Sequence, residues 1–227
     1  MNALINNRRY VIFAIVVLVA MFALSGWAWT QIPADTQIPT HFGVDGQPDS
    51  YGGKFEGLFL MPLVSVAVMV LMAFVPRFEP RRRNMQMSGK AYRALWIVLG
   101  LFFLALHVSI VLTALGYNVP MNLVISIALG LMFVVIGNYM GKIRSTFMFG
   151  IRTPWTLASD LSWNKTHRLG GKLFVASGLA ILITGIFAPS LMVWVMLAFL
   201  AGVVLISFVY SYLVWRSDPE VQTQPQS

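Results

Sequence analysis

Six long apolar runs limit what this 227-residue chain can fold into more than any other feature of its sequence. A helix needs about 20 consecutive apolar residues to cross the hydrocarbon core of a bilayer. No Asp, Glu, Lys or Arg lies between the ends of any run. The runs therefore predict six transmembrane helices, at Tyr10–Trp29, Gly57–Val75, Ala94–Leu115, Met121–Met140, Lys172–Ala188 and Leu191–Trp215.

The composition also indicates an all-α integral membrane protein. Hydrophobic residues make up 58% of the chain and charged residues 11%, against about a quarter charged in soluble domains. This balance excludes a soluble enzyme, a disordered protein and a coiled coil. A disulfide scaffold is excluded as well, because the chain contains no Cys.

Lys and Arg are distributed unequally over the two sides that these spans define. Fifteen of the 16 lie on the side of the termini and of connections 76–93 and 141–172, and only Lys54 lies on the other. The positive-inside rule then predicts that both termini are cytoplasmic. The net charge of +8 is thus mainly a topology signal. Anionic lipid headgroups are sufficient partners for it, and no direct nucleic-acid binding is expected.

The connections divide the chain into two membrane regions and a tail. Two connections are long enough to carry structure of their own, an ordered outer loop and an interfacial inner loop. We predict an N-terminal region 1–93 with outer loop 30–56 and basic inner loop 76–93, a four-span domain 94–216 with inner loop 141–171, and a disordered tail 217–227.

The interiors of the spans carry few polar residues. Proton- and ion-coupled transporters generally need charged groups there, so their absence leaves a passive transporter or a lipid-handling protein as the transport alternative. His107 is either hydrogen-bonded to a neighbouring helix or part of a proton or ligand site. Small-residue pairs predict helix contacts, one at Gly137 and Gly141 and another at Ala198 and Gly202.

The outer loop is dense in Pro, Gly and Asp, which predicts a run of defined turns. It forms either a compact cap on the helix ends or a contact surface for an extracellular ligand. A metal set of His41, Asp45 and Asp49 is a weaker alternative, because its spacing matches no standard site, and we expect no metal. The candidate residues of this loop are His41, Phe42, Asp49, Tyr51 and Lys54.

The inner loop carries signals for two short helices. Thr153 followed by Pro154 is typical of an N-cap with Pro at the first helical position. Ser159 or Asp160 is positioned to cap a second short helix, and Gly170 is predicted to end it.

Aromatic residues alternate with cations in this loop, as they do at membrane interfaces. The segment either locks the helices together or docks a cytosolic partner. Arg152 is suited to a phosphate or carboxylate, and Trp163 and His167 share a helical face. No nucleophile–base arrangement is present, so we expect neither enzymatic activity nor a cofactor. The candidate residues are Asn138, Arg152, Thr153, Pro154, Trp155, Trp163, Thr166 and His167.

The same two loops resemble known sequences. Gly-Ile-Arg-Thr-Pro-Trp-Thr at 150–156, followed by Trp163 and by Thr-His-Arg-Leu-Gly-Gly at 166–171, closely resembles the signature of SdpI-family membrane proteins. The outer stretch 38–54 is similar to the uncharacterised domain that commonly precedes the SdpI domain. One departure is Ser145-Thr146, where the family often has Pro-Asn.

This resemblance implies a protein of the bacterial cytoplasmic membrane that confers immunity to a secreted, membrane-active peptide toxin, by binding or excluding it. The family has also been linked to signalling, in which the membrane protein captures a cytosolic repressor. A toxin and a repressor-like protein are therefore the partners that the resemblance implies, beside the lipid bilayer.

Overall fold

The computed structural model describes residues 8–43 and 47–223. It confirms six helices that are long and apolar enough to cross a membrane. They are α1 (Arg8–Gln31), α2 (Lys54–Phe78), α4 (Gly89–Ala114), α5 (Met121–Met140), α7 (Asp160–Phe187) and α8 (Met192–Arg216). The shorter elements are strands β1 (Ile38–Phe42) and β2 (Pro48–Gly52), helices α3 (Arg82–Met87), α6 (Pro154–Ala158) and α9 (Pro219–Gln222), and a 3₁₀ turn at Pro189–Leu191.

Helix α4 lies at the centre of the bundle and packs against α1, α2 and α5. Helix α7 in turn packs against α5 and α8. Strands β1 and β2 lie at one end of the bundle, the hairpin end. The opposite end is called the basic end, and it holds α3, α6 and the irregular segment 141–153.

The outer loop forms an antiparallel hairpin of β1 and β2, with an irregular register. Ile38 is fully buried and packs with Leu58 and Val111. Gly57 permits this contact, because a Cβ atom there would lie 2.4 Å from the Cβ of Ile38. The hairpin is therefore fixed to α2 and α4 as a compact cap on the helix ends, one of the two predicted alternatives, whereas its two strands were not predicted. Asp45 of the predicted metal set lies outside the described residues.

Helix α7 is longer than the predicted span, which starts at Lys172. It begins at Asp160, after the N-cap Ser159, whose side chain accepts a hydrogen bond from the Ser162 amide. The predicted helix end at Gly170 is wrong, because this glycine lies inside the continuous helix. With 28 residues, α7 is about 42 Å long at 1.5 Å per residue. It thus extends beyond a hydrocarbon core of about 30 Å.

The tail is not disordered over 217–223, contrary to the prediction. The Asp218 carboxylate caps α9 by accepting a hydrogen bond from the Glu220 amide. Its second oxygen accepts a 2.5 Å hydrogen bond from the Ser159 hydroxyl. The start of the tail is therefore tied to the start of α7, and residues 224–227 lie outside the described part of the chain.

Glycines allow α5 and α7 to approach each other at backbone distance. A Cβ atom on Gly137 would lie 2.6 Å from the carbonyl oxygen of Gly171, and one on Gly178 would lie 2.5 Å from that of Gly130. Small residues have this role in membrane helix packing. Gly137 is thus a helix contact as predicted, but its partners lie on α7.

The second predicted small-residue pair is not a helix contact. Ala198 is exposed, and a Cβ atom on Gly202 would meet nothing within 4 Å among the described residues. The small residues of α8 at these two positions face outward, so the helix contact predicted from their spacing is wrong.

We expect Gly178→Ala to lower the unfolding temperature of the detergent-solubilised protein. The added methyl group must displace the α5 backbone, at about 1–3 kcal/mol for an overpacked site. Gly202→Ala is the matched control on α8, because its methyl group enters open space and alanine favours a helix. Equal unfolding temperatures for the two variants would contradict this account of the α5–α7 contact.

Candidate functional site

A buried carboxylate organises the signature segment, defined here as residues 141–159. Glu79 follows the end of α2 and is only 1% exposed. Its two oxygens accept hydrogen bonds from the amides of Arg81, Phe147 and Met148, at 2.9, 3.1 and 2.8 Å. One side chain thus joins the start of the signature segment to the α2–α3 connection. Glu79 is not among the predicted site residues, since a single acid in a basic loop carries no local signal.

Arg81 and Asn84 hold the same segment from the α3 side. The Arg81 guanidinium donates hydrogen bonds to the Ser145 hydroxyl and, at 3.0 Å, to the carbonyl oxygen of Leu157. It also lies 4.5 Å from the centre of the Phe147 ring. The Asn84 amide donates to the carbonyl oxygen of Ser145 at 2.8 Å. The serine that departs from the family pattern is thus a hydrogen-bonding partner here.

Trp163 and His167 form a buried stacked pair one helical turn apart on α7. Their ring centres are 4.0 Å apart and their planes differ by 20°. The indole N–H of Trp163 donates to the carbonyl oxygen of Ile143 at 2.8 Å. His167 Nε2 accepts from the Ile151 amide at 2.9 Å, so its proton sits on Nδ1, which faces the Trp163 carbonyl oxygen at 2.8 Å. Both imidazole nitrogens are therefore used within the fold.

Gly150 completes this contact, and no other residue fits its position. Its φ is +117°, a conformation that side chains with a Cβ rarely adopt. A Cβ atom there would lie 2.5 Å from His167 Nε2 and 3.0 Å from the Trp163 ring. The signature glycine thus lets the backbone pass directly over the stacked pair.

The start of α6 confirms the predicted N-cap. The Thr153 hydroxyl accepts from the Thr156 amide at 3.1 Å, and Pro154 occupies the first turn. The Thr153 hydroxyl also donates to the Ser211 hydroxyl of α8 at 3.0 Å. Trp155 packs edge-on against Phe208 of α8, with ring centres 4.8 Å apart. This part of the signature therefore joins α6 to α8.

Three candidates of the inner loop play no part in these contacts. Arg152 is exposed and donates to the carbonyl oxygen of Phe147 at 2.8 Å. Asn138 is exposed on α5. The Thr166 hydroxyl is buried and has no hydrogen-bond partner among the described residues. Arg152 is thus the charged candidate that remains available to a ligand.

Comparisons with known proteins find two family models that match parts of this chain. Residues 142–211 match the SdpI/YfhL protein family, and residues 16–66 match a domain of unknown function, DUF1648. This chain thus carries a region similar to the SdpI/YfhL family. It is 24% identical over 205 residues to the immunity protein SdpI of Bacillus subtilis (strain 168), an alignment that covers 90% of this chain and 95% of that protein. No solved structure matches this chain.

The SdpI-family match begins and ends at this set of contacts. It starts at Lys142, next to Ile143, the acceptor for Trp163, and stops at Ser211, the acceptor for Thr153. Glu79 and Arg81 lie outside both matched regions. The SdpI domain is therefore held to the rest of the chain by side chains from the intervening connection.

The DUF1648 region carries the outer candidates. His41 Nδ1 and Asp49 Oδ1 are 2.5 Å apart, and both side chains are largely exposed. Tyr51 is 55% exposed, whereas Phe42 is half-buried. Lys54 is directed inward and donates to the carbonyl oxygen of Ile32 at 2.5 Å. Within 8–43 and 47–223, no group of three His, Cys, Asp or Glu residues is placed to hold a metal ion.

His107 of α4 meets the DUF1648 region inside the bundle. Its Nε2 atom lies 3.1 Å from the Ser25 hydroxyl and 3.1 Å from the carbonyl oxygen of Met21. The Ser25 hydroxyl lies 2.7 Å from the carbonyl oxygen of Leu58, so it also binds α2. Nε2 of His107 thus contacts α1, whereas Nδ1 is buried and has no hydrogen-bond partner among the described residues, and both predicted roles remain predictions.

We expect Glu79→Gln to destabilise the signature segment. An amide offers one acceptor oxygen in place of two, so at least one buried backbone N–H loses its partner, at about 1–3 kcal/mol. The measurements are the unfolding temperature and the rate of trypsin cleavage after Arg144 and Arg152. Glu220→Gln on α9 is the control, because this side chain is exposed. Unchanged cleavage in Glu79→Gln would refute the organising role of the carboxylate.

Proposed function

We propose that this protein protects the bacterium that carries it against a secreted, membrane-active peptide, by binding or excluding that peptide at the cytoplasmic membrane. The observation that carries the proposal is the hairpin end. There β1 and β2 are fixed to α2 and α4 by the buried Ile38, and their outer face exposes the ion pair of His41 and Asp49. The near full-length similarity to an immunity protein supports the same function.

Exposed aromatic rings lie at the same end of the bundle as this ion pair. Tyr51 and Phe55 are 55% and 60% exposed, and Trp27 and Trp29 on α1 are 53% and 41% exposed. Aromatic rings favour the membrane–water interface, and so do the apolar faces of membrane-active amphipathic peptides. A rigid surface of this kind can hold such a peptide at the interface before it enters the bilayer.

Protection of this kind needs no bond-breaking chemistry and no transport path. The polar side chain in the middle of the bundle, His107, is engaged with Ser25 and the Met21 backbone. A passive transporter requires a polar route through the spans, and these contacts favour a closed helix junction instead.

The proposal includes an orientation, with the hairpin end outside and the basic end in the cytoplasm. The support is the charge distribution, since 15 of the 16 Lys and Arg residues belong to the basic end. The outer surface then faces a secreted peptide as it arrives.

Cysteine labelling tests this orientation directly, because the natural chain contains no Cys. We expect a membrane-impermeant maleimide to label Ser50→Cys on β2 in intact cells. Thr223→Cys, after α9, should react only after the cells are lysed. Both positions are exposed. The reverse pattern would overturn the orientation and with it the proposed outer site.

A survival assay tests the function. The chain is expressed in a sensitive bacterium that is challenged with secreted membrane-active peptides, and viability and membrane potential are recorded. We expect the wild type to maintain both, and His41→Ala with Tyr51→Ala to lower survival about tenfold or more at unchanged membrane insertion. Gln37→Ala, an exposed change before β1, is the control. Failure of the inserted wild type to protect against any such peptide would refute the proposal.

A second candidate function is capture of a cytosolic regulator at the basic end. The observation that favours it is an open cavity of about 680 Å³ bordered by Lys142, Arg144 and Arg168, which suits an acidic partner. In the same assay, Arg144→Ala with Arg168→Ala, which removes two of these cations, separates the two functions. Loss of protection by this inserted double variant, with the hairpin end intact, would show that the basic end is needed. Full protection would show that these residues are not part of the functional site.

A further inference from the structure

A cleft opens between α4 and α5 near the basic end of the bundle. It has a volume of about 580 Å³, and its lining includes Lys90, Arg93, Ile97, Leu101, Val135 and Tyr139. The small side chain of Ala94 leaves this space between the two helices. The site thus combines two cations at one end with apolar side chains along its length.

Helical spacing arranges these groups along one line. Positions 90, 93, 97 and 101 are three or four residues apart, so they share a face of α4. Arg93 and Leu101 are separated by about 12 Å along the axis, at 1.5 Å per residue. Ile97 and Leu101 are 41% and 48% exposed. The face therefore runs from cationic at the membrane surface to apolar at greater depth.

The two cations have no acidic partner. No Asp or Glu is among the residues that line the cleft. In the described part of the chain, the ion pair found within 4 Å is that of His41 and Asp49, at the other end of the bundle. A third cation, Lys142, lies 4.9 Å from the ring centre of Tyr139. The mouth of the cleft is therefore strongly positive and lacks an anion among the described residues.

We propose that this cleft is a binding site for one anionic phospholipid. Lys90 and Arg93 bind the phosphate of the headgroup, and one acyl chain lies against Ile97, Leu101 and Val135. A phospholipid has the matching arrangement, because its anionic headgroup lies at the membrane surface and its acyl chains extend inward. A second copy of this protein fits less well, because a symmetric contact would bring like cations together.

The lipid site adjoins the signature segment. A smaller apolar cavity of about 220 Å³ lies beneath Gly150 and Ile151, and Ala94 and Tyr139 line both spaces. A bound acyl chain therefore supports the side of α5 on which the signature segment rests. This role is separate from peptide protection and does not depend on it.

The test is lipid binding by the full chain in detergent. Phosphatidylglycerol is titrated, and its apparent Kd is taken from the rise in unfolding temperature, which follows from binding to the folded state. We expect phosphatidylcholine to bind more weakly. Lys90→Gln with Arg93→Gln should raise the Kd for phosphatidylglycerol about thirtyfold, since it removes two cations near the membrane surface.

Three further variants make the result decisive. Arg82→Gln with Arg83→Gln removes two exposed cations of α3 outside the cleft, and its Kd should match that of the wild type. Ala94→Phe fills the cleft and keeps its charge, so it should also lose affinity. Single Lys90→Gln, at an exposed position, should raise the Kd about fivefold if the other variants do not fold.

Several results would overturn the proposal. Equal weakening by the α3 and α4 charge variants would indicate a diffuse electrostatic effect. Binding of glycerol phosphate as tight as that of the lipid would indicate an anion site without an acyl chain. A wild type that is dimeric in detergent, and that Ala94→Phe makes monomeric, would assign the cleft to a second copy.

Discussion

The hydrogen bonds that three backbone amides donate to the Glu79 carboxylate are the interaction on which the basic end depends. Next to a membrane, irregular backbone is tolerated only where its N–H groups find partners within the protein. Three other side chains also accept hydrogen bonds from backbone amides. His167 accepts from Ile151, Thr153 from Thr156, and Ser159 from Ser162. Four side chains thus take the place of the water or secondary structure that would otherwise satisfy this segment.

This arrangement separates the family signature from the surfaces that meet partners. Trp163 and His167 are fully buried, and Gly150 lies directly against them in a geometry that admits little change, so this part of the signature is structural. Recognition of a peptide or regulator then falls to exposed groups. On this chain these are the ion pair of the hairpin, the exposed Arg152 and the cations of the basic end.

Local signals in the sequence were sufficient for the spans and for the caps at Thr153 and Ser159. Apolar runs and N-caps depend on residues close in the chain, and the fold confirms both. Glu79 and Asp218 were missed because their partners lie 68 and 59 residues away, at Phe147 and Ser159. The two strands of the hairpin were not predicted, since the burial of Ile38 against α2 and α4 leaves no pattern within the loop.

The glycines of α5 and α7 have a consequence for how these helices move. Gly130 and Gly137 are seven residues apart, and so are Gly171, Gly178 and Gly185. A seven-residue repeat keeps two helices in contact only if they coil around each other with a left hand. Gly137, Gly171 and Gly178 each lie against a backbone carbonyl oxygen of the opposing helix, whereas Gly185 lies against the Ser126 side chain. Sliding by one residue would therefore drive side chains into the opposing main chain. The pair therefore moves as one rigid body, and any conformational change must occur where α8 or the N-terminal helices meet it.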